Sequence, residues 1–325
     1  MNTETSYLGF KLKNPVIVGS CGLTNSVENI KKLADNGAAA IVLKSIFEEE
    51  ILMEYNATVK NTSDIDELKY LDYYDYKIKQ DNIQKYIQLI KDAKKAVDIP
   101  IIASINCTCS HEWCYFTKKI EEAGADALEL NIFMMPYLKD KTGSDNENVY
   151  FNVSKKIKEN INILVSMKMS HYFSNLGGFI EKLSEKADAL VLFNRFYSPD
   201  FDIDNEEIFA GHIYSSKYEM HIPLRWIAMT HGHLQCDIAA STGVHSGTDL
   251  IKMLLAGADA VEIVSTIYQN GPEIIKTILA ELEDYMKKHN YDSIDDFKGK
   301  LSLKNAENPS AFYRVQFMKY SEFEK

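Results

Sequence analysis

One phrase recurs four times along the chain and limits its fold more than any other feature. Gly37-Ala38-Ala39-Ala40 leads into I-V-L-K-S, and Gly124-Ala125-Asp126-Ala127 leads into L-E-L-N. Lys186-Ala187-Asp188-Ala189 leads into L-V-L-F-N, and Gly257-Ala258-Asp259-Ala260 leads into V-E-I-V-S. Each phrase follows a helical pattern and precedes a short apolar run. A helix that ends on a small residue, often a C-cap glycine, and passes into a strand apolar on both faces marks a buried parallel sheet. Three further helix-to-strand steps of other composition continue the alternation, so the chain repeats a strand–helix unit.

Eight strands are predicted, at 15–19, 40–44, 101–105, 127–131, 163–168, 189–194, 237–240 and 260–264. Helical patterns fall at 27–36, 82–96, 112–123, 149–159, 176–186, 224–229, 248–256 and 272–289. Eight alternating strands select a closed TIM (β/α)8 barrel over an open doubly wound sheet. No G-x-G-x-x-G follows the first strand, which weakens a dinucleotide-binding alternative. A chain of 325 residues accommodates such a barrel with added segments. The additions are long connections after strand two (45–81) and strand six (195–223), with 64–76 read as a solvated excursion, and a C-terminal extension over 291–325 that packs outside the barrel. No Pro/Gly/Ser linker divides the chain, so 1–325 is read as a single domain with its barrel core at about 8–290.

A net charge of −11 argues against nucleic acid or an anionic membrane as the main partner. No stretch approaches the roughly 20 apolar residues of a membrane span. The N-terminus carries no basic segment followed by an apolar run, so a cytoplasmic protein is expected. Five cysteines, three of them crowded at Cys107, Cys109 and Cys114, suit a reduced protein better than a disulfide scaffold.

In a barrel of this kind the side chains at strand C-termini converge on one mouth. The last two strands enclose S-T-G-V-H-S-G-T-D-L-I-K-M-L-L-A-G-A-D-A-V-E-I-V-S-T, from Ser241 to Thr266. Its turns at Thr242-Gly243 and Ser265-Thr266 offer backbone N–H groups for an anion, at the position where such barrels hold phosphate. A phosphorylated cofactor is one reading; an ordinary βαβ unit with capped helices is the other. The remaining strands end at Ser20-Cys21, Lys44-Ser45, Asn106-Cys107, Asn131, Lys168 and Asn194-Arg195. Two lysines and three asparagines there are poor core filler, because a buried ammonium needs an anion or acceptor. Together they suit a flat heterocycle with a phosphate tail; a salt-bridged structural role is the alternative for each lysine.

From Leu8 to Pro272 these motifs resemble the dihydroorotate dehydrogenase family of FMN-binding barrels. The resemblance is carried by L-G-F-K-L-K-N-P-V-I at Leu8–Ile17, by Lys44-Ser45, Asn131, Lys168 and Asn194, by Ser241–Thr266 and by Y-Q-N-G-P-E-I-I at Tyr268–Ile275. It implies FMN, with the phosphate on Thr242, Gly243, Val244, Ser265 and Thr266. Lys168 would lie near the N1/C2=O edge of the ring, and Ser20 and Cys21 would pass beneath it. A small-molecule substrate follows, dihydroorotate foremost, and a homodimer is the assembly the resemblance suggests.

One segment departs from the family. Where the family carries Asn-x-Ser-Cys-Pro-Asn or a close variant, with Cys or Ser as the base, this chain reads Asn131-Ile132-Phe133-Met134-Met135-Pro136-Tyr137. A methionine thioether cannot take a proton near neutral pH. The asparagine-rich segment after strand two is also missing, and Glu48-Glu49-Glu50 stands nearby. His171, Tyr137 and Cys107 are the substitute bases at the same mouth, His171 having the most suitable ordinary pKa, about 6.5. Arg195 could hold a substrate anion or pair with a loop glutamate. Cys107-x-Cys109-x-His111-x-x-Cys114 is not a standard zinc spacing, so no metal is expected. His245 is a candidate phosphate donor, and His231 and His233 close the sixth helix. The leading function is an FMN-dependent CH–CH oxidation like that of dihydroorotate to orotate in pyrimidine biosynthesis. The alternatives are an FMN-binding barrel without that activity and a flavin-free barrel enzyme that binds a sugar phosphate.

Overall fold

The structure is a computed structural model that describes residues 1–47, 53, 71–106, 110–132, 134–196, 198–307, 309 and 312, the side chains of 71–77, 79 and 110–113 excepted. An antiparallel hairpin, β1 (Thr5–Tyr7) and β2 (Phe10–Leu12), opens the chain and turns at Leu8-Gly9, both at positive φ. The barrel strands are β3 (Val16–Val18), β4 (Ala40–Val42), β6 (Ile101–Asn106), β7 (Ala127–Asn131), β8 (Leu164–Met169), β9 (Ala189–Leu192), β12 (Asp237–Ser241) and β13 (Ala260–Ile263). Each pairs in parallel with its neighbour, and pairing of β13 with β3 and of β4 with β6 closes the ring. A short β5 (Ile46–Phe47) adds to the end of β6. The TIM (β/α)8 barrel expected from the repeats is therefore the fold.

Helices α1 (Val27–Asp35), α2 (Leu71–Ala96), α3 (Ser110–Glu122), α4 (Gly143–Lys158), α5 (Leu176–Ser184), α6 (His221–Thr230) and α7 (Gly247–Ala256) pack around the strands. After the last strand come α8 (Ser265–Asn270) and α9 (Ile274–His289). No helix among the described residues is long and apolar enough to cross a membrane.

Several boundaries differ from the sequence reading. Helix α2 starts at Leu71 rather than 82, so part of the long connection after β4 is helix, including 71–76 of the expected solvated excursion. Residues 64–70 of that excursion lie outside the described residues. Helix α4 starts at Gly143 rather than 149, because Thr142 and Asp145 form a capping box ahead of any apolar period. The Ser265-Thr266 turn is the first turn of α8. The connection after β9 contains a hairpin, β10 (Pro199–Asp202) and β11 (Glu207–Ala210). Its strands lie mostly in solvent, so no buried alternation announced them.

The recurring phrase has a physical cause that its spelling concealed. The aspartates of three copies each accept an N–H from the first or second residue of a neighbouring strand. Asp126 Oδ2 accepts from Ile101 N at 2.7 Å, Asp188 Oδ2 from Val165 N at 2.8 Å and Asp259 Oδ2 from Ile238 N at 2.8 Å. Each also pairs with a lysine, respectively Lys94, Lys158 and Lys298. In the copy without aspartate, Asn14 takes the role: its Oδ1 accepts from Val16 N at 2.9 Å and its Nδ2 donates to Gly37 O at 2.8 Å. A strand that starts inside a barrel would otherwise bury an unpaired N–H.

The C-terminal extension completes the outside of the barrel. Gly299 N donates to Leu254 O at 2.9 Å, Leu301 N to Leu255 O at 2.9 Å and Leu303 N to Ala228 O at 2.7 Å, fixing the segment on α6 and α7. The helix-closing His231 caps α6 and fills the space beside Gly257 and Gly299. The aspartate role makes a direct prediction. Asp188→Ala should lower the unfolding free energy by about 1–3 kcal/mol by orphaning the Val165 N–H, and Asp188→Asn should recover most of it. Urea denaturation followed by circular dichroism measures both.

Candidate functional site

Side chains alternate along each strand, so every second residue points into the barrel. At the lower end these positions are apolar. Ile17, Val42, Ile102, Val191 and six alanines form one cluster with Tyr7, Leu8 and Leu12 of the N-terminal hairpin, which plugs the barrel. Toward the strand C-termini the interior becomes polar. Ser104, Glu129, Ser166, Lys168 and Glu262 are all buried there.

Lys168 Nζ lies 2.5 Å from Glu262 Oε2 and 3.8 Å from Glu129 Oε1. Burial alone would depress the lysine, but the two carboxyl groups overcome it and hold the ammonium above its ordinary range. Glu129 is pushed well above the usual carboxylate range, by burial first and by Glu262 second. Its Oε1 has no hydrogen-bond partner among the described residues.

Above this layer a chain of hydroxyls and amides crosses the mouth. Ser20 Oγ and Ser45 Oγ are 3.0 Å apart, and Ser45 Oγ and Ser104 Oγ 2.7 Å. Asn131 Nδ2 donates to Ser45 Oγ at 3.4 Å, and Asn194 Nδ2 to Asn131 Oδ1 at 2.5 Å. Four of the residues read from strand ends, Ser20, Ser45, Asn131 and Asn194, thus meet in one network with Lys168 beside it. Lys44 is half-buried next to Ser45, and Cys21 half-buried after Ser20. Burial pushes the Cys21 thiol up despite hydrogen bonds from its own turn, so it is a poor nucleophile.

The cradle lies after β12 and β13. Thr242 and Gly243 adopt φ of 82° and 80°, which turn the chain at the strand end. A Cβ at Gly243 would collide with the Met220 backbone, so only glycine permits that approach. Ser246 caps α7 through the Asp249 N–H, and Thr266 Oγ1 donates to His245 O at 3.3 Å. Thr242, Gly243, Val244 and Ser265 line a cavity of about 230 Å³ together with Ser20, Lys168, Asn194 and Glu262. The cradle and the lysine therefore share one space.

Two residues read as anion ligands are otherwise engaged. Arg195 Nε donates to Glu219 Oε1 at 2.8 Å, Nη1 to Ile213 O at 2.8 Å, and Nη2 to His212 O at 2.6 Å and Tyr214 O at 3.3 Å. Of the two readings of Arg195, the loop salt bridge is the one realised. Partial burial pushes Glu219 up, yet hydrogen bonds from Ser216 N and Arg195 hold it below its ordinary value. His245 Nε2 lies 3.1 Å from Ser215 Oγ, and Ser215 N donates to Ser265 Oγ at 3.0 Å. Arg195 and His245 thus fasten the segment 212–219 over the cavity.

The three base candidates are dispersed. His171 is half-buried against Tyr172 and Phe193, and burial lowers its pKa, so it is neutral at pH 7. It lines a second cavity of about 180 Å³ that shares Asn194, Arg195 and Thr242 with the first. Tyr137 is 75% exposed and lines neither cavity. Cys107 lies outside the described residues, as do Cys109, the side chain of His111 and Glu48-Glu49-Glu50. Reasoning on sequence missed Glu129, Ser104, Ser215 and Glu262. A signal for the glutamates was present: one acidic residue at the inward position of L-E-L-N and of V-E-I-V must find a cation inside a barrel.

Because Arg195 holds three successive carbonyls, Arg195→Ala should speed amide hydrogen exchange over 212–216 by at least tenfold. Arg195→Lys should not restore protection, since an ammonium lacks the planar fork. Mass-spectrometric hydrogen exchange reads both variants.

With this geometry in hand, comparison with known proteins is informative. The family model described as dihydroorotate dehydrogenase matches residues 2–286. Similar proteins include the dihydroorotate dehydrogenase B (NAD(+)) catalytic subunit of Thermoplasma volcanium, 28% identical over 91% of this chain and 97% of that one. The protein of the same name from Pyrococcus abyssi is 28% identical over 93% of this chain and 99% of its own. That from Methanocaldococcus jannaschii is 25% identical over 88% and 94%. The family model spans the hairpin plug, all eight barrel strands, the cradle and most of α9, and on that match the chain belongs to the dihydroorotate dehydrogenase family.

Proposed function

We propose that this protein is an FMN-dependent oxidoreductase that takes a hydride and a proton from adjacent carbons of a small ring compound, with dihydroorotate as the first substrate to test. The observation that carries this reading is the single cavity running from the Thr242–Val244 and Ser265 cradle to Lys168. It meets the chemical demands of FMN: backbone N–H groups and hydroxyls for a phosphate, amides at Asn131 and Asn194 for ring heteroatoms, and a buried cation. FMN, when bound, supplies the hydride acceptor. The protein's own groups hold the phosphate, orient the ring and, through segment 212–219, cover the phosphate end.

Proton removal falls to a residue other than the cysteine or serine of the family pattern. His171 is the described candidate that adjoins the site, and its neutral imidazole can accept a proton at pH 7. The second reading, an FMN-binding barrel without dihydroorotate activity, is favoured by the segment Ile132–Tyr137, which contains no cysteine or serine. Its Met135-Pro136-Tyr137 stretch is exposed. The relatives' names describe catalytic subunits of an NAD(+) enzyme, so we extend to this chain a second subunit through which electrons reach NAD(+). A homodimer is part of the proposal on the family resemblance, the single-domain organisation on the lack of a dividing linker, and the cytoplasmic location on the composition and cysteine usage.

The purified protein should bind FMN and be yellow, and anaerobic dihydroorotate should bleach the 450 nm region within seconds. His171→Gln should slow that bleaching by about 10²–10⁴-fold and move its pH profile, while leaving FMN bound. A yellow protein that dihydroorotate leaves oxidised selects the second reading. A colourless protein that takes up no FMN on reconstitution rejects both.

A further inference from the structure

Inside the upper barrel, charge is arranged in a way the flavin reading alone does not require. The cation that would face the ring is already paired. Lys168 Nζ contacts Glu262 Oε2 at 2.5 Å, and both side chains are nearly inaccessible to solvent. Both nevertheless line the cavity that the cradle also lines, so the pair is part of the wall of the site. The backbone makes room for it. A Cβ at Gly19 would stand 3.1 Å from Glu262 Oε2, and the glycine leaves that space to the carboxylate. Glu129, opposite Ser104 and Ser166 in the strand register, lies 3.8 Å from the ammonium. Its Oε1 has no hydrogen-bond partner among the described residues, and burial raises its carboxyl above the usual range.

A buried ion pair is weak evidence for stability, since its desolvation offsets much of its attraction. Its effect on a neighbouring charge is more definite. A lone ammonium favours negative charge developing on a bound ring. An ammonium closely paired with a carboxylate presents a dipole of zero net charge and favours it far less.

We propose that Glu262 is a positioning residue that sets the redox balance of the site, by neutralising Lys168 so that the protein holds oxidised and reduced flavin with more nearly equal affinity than Lys168 alone would. Reduction brings two electrons and one proton to the flavin and leaves an anionic ring; the donor is the substrate of the proposed reaction. Glu262 neither gives nor takes a proton in that step. It removes a charge bias that would trap the reduced form and hinder release of its electrons to the acceptor. This inference rests on the FMN reading above.

The test compares the ratio of dissociation constants for oxidised and reduced FMN at pH 7, read equivalently as the midpoint potential of bound FMN against a reference dye. Glu262→Gln keeps the shape of the side chain and removes its charge. It should raise the preference for reduced FMN by about tenfold, which is about 30 mV for a two-electron couple. Glu129→Gln should shift the ratio less than threefold, because its carboxyl stands 3.8 Å from the ammonium and lacks the direct contact that Glu262 makes at 2.5 Å. A merely structural role for Glu262 would weaken both forms alike and leave the potential unmoved. Should Glu262→Gln fail to fold, Glu262→Met provides a second route. It removes the charge with an unbranched side chain of similar length and should shift the ratio in the same direction by at least threefold. A shift below threefold in whichever variant folds overturns the proposal, as does an equal shift in Glu129→Gln. A wild-type protein that takes up no FMN overturns the function reading and this inference with it, whereas FMN uptake with an unmoved potential overturns this inference alone.

Discussion

Everything in this molecule depends on closing a ring of parallel strands. Val261 pairs opposite Val16 and Ile41 opposite Ile101, and these two ladders leave the barrel without an open edge. Closure brings eight strand ends to one mouth, which is why residues as distant as Ser20 and Ser265 line a single cavity. It also creates a cost that the chain meets at both ends. At the lower end four of the strands bury an N–H of their first or second residue inside a crowded ring, and Asp126, Asp188, Asp259 and Asn14 supply the acceptors. At the upper end the interior holds charge, and Lys168 is kept there by two carboxyl groups.

The two halves of the interior serve different purposes. The lower half is filled by alanine, valine and isoleucine around the hairpin plug, an ordinary packed core. The upper half is a buried polar network in which hydroxyls, amides and one ion pair satisfy one another. Such networks hold a constant geometry because breaking one link leaves its partner unpaired in a low dielectric. That suits a surface on which a rigid heterocycle is to rest. The covering segment 212–219 is fastened separately, by Arg195 from below and by His245 and Ser265 from the side. A cover with its own fastenings can open without disturbing the floor.

Much of the barrel was legible in the sequence because its period is strong. Small-residue junctions and apolar runs placed every barrel strand within a few residues. The strand-end polar set was legible for the same reason: once the strands are located, their last residues follow. Elements that lie in solvent were not. The β10–β11 hairpin, the first turns of α4 and the early start of α2 carry no buried alternation, so nothing in their pattern separated them from loop. Arg195 illustrates a different limit. Its position at a strand end was readable, but whether it faced a ligand or a loop depended on where three carbonyls 17 to 19 residues away would come to lie.

What the sequence determined alone is the repeat, the ring it implies, the glycine turn at Gly243 and the family to which these motifs point. Each is local, set by periodicity or by a residue type that one backbone conformation demands. What only the tertiary structure decided is pairing: that Lys168 meets Glu262 rather than standing free, that Glu129 lies buried beside them with its carboxyl raised above the ordinary range, and that Arg195 and His245 hold a cover. These depend on distances between residues as many as 94 positions apart. Burial then converts such distances into charge states, a step that no local pattern encodes.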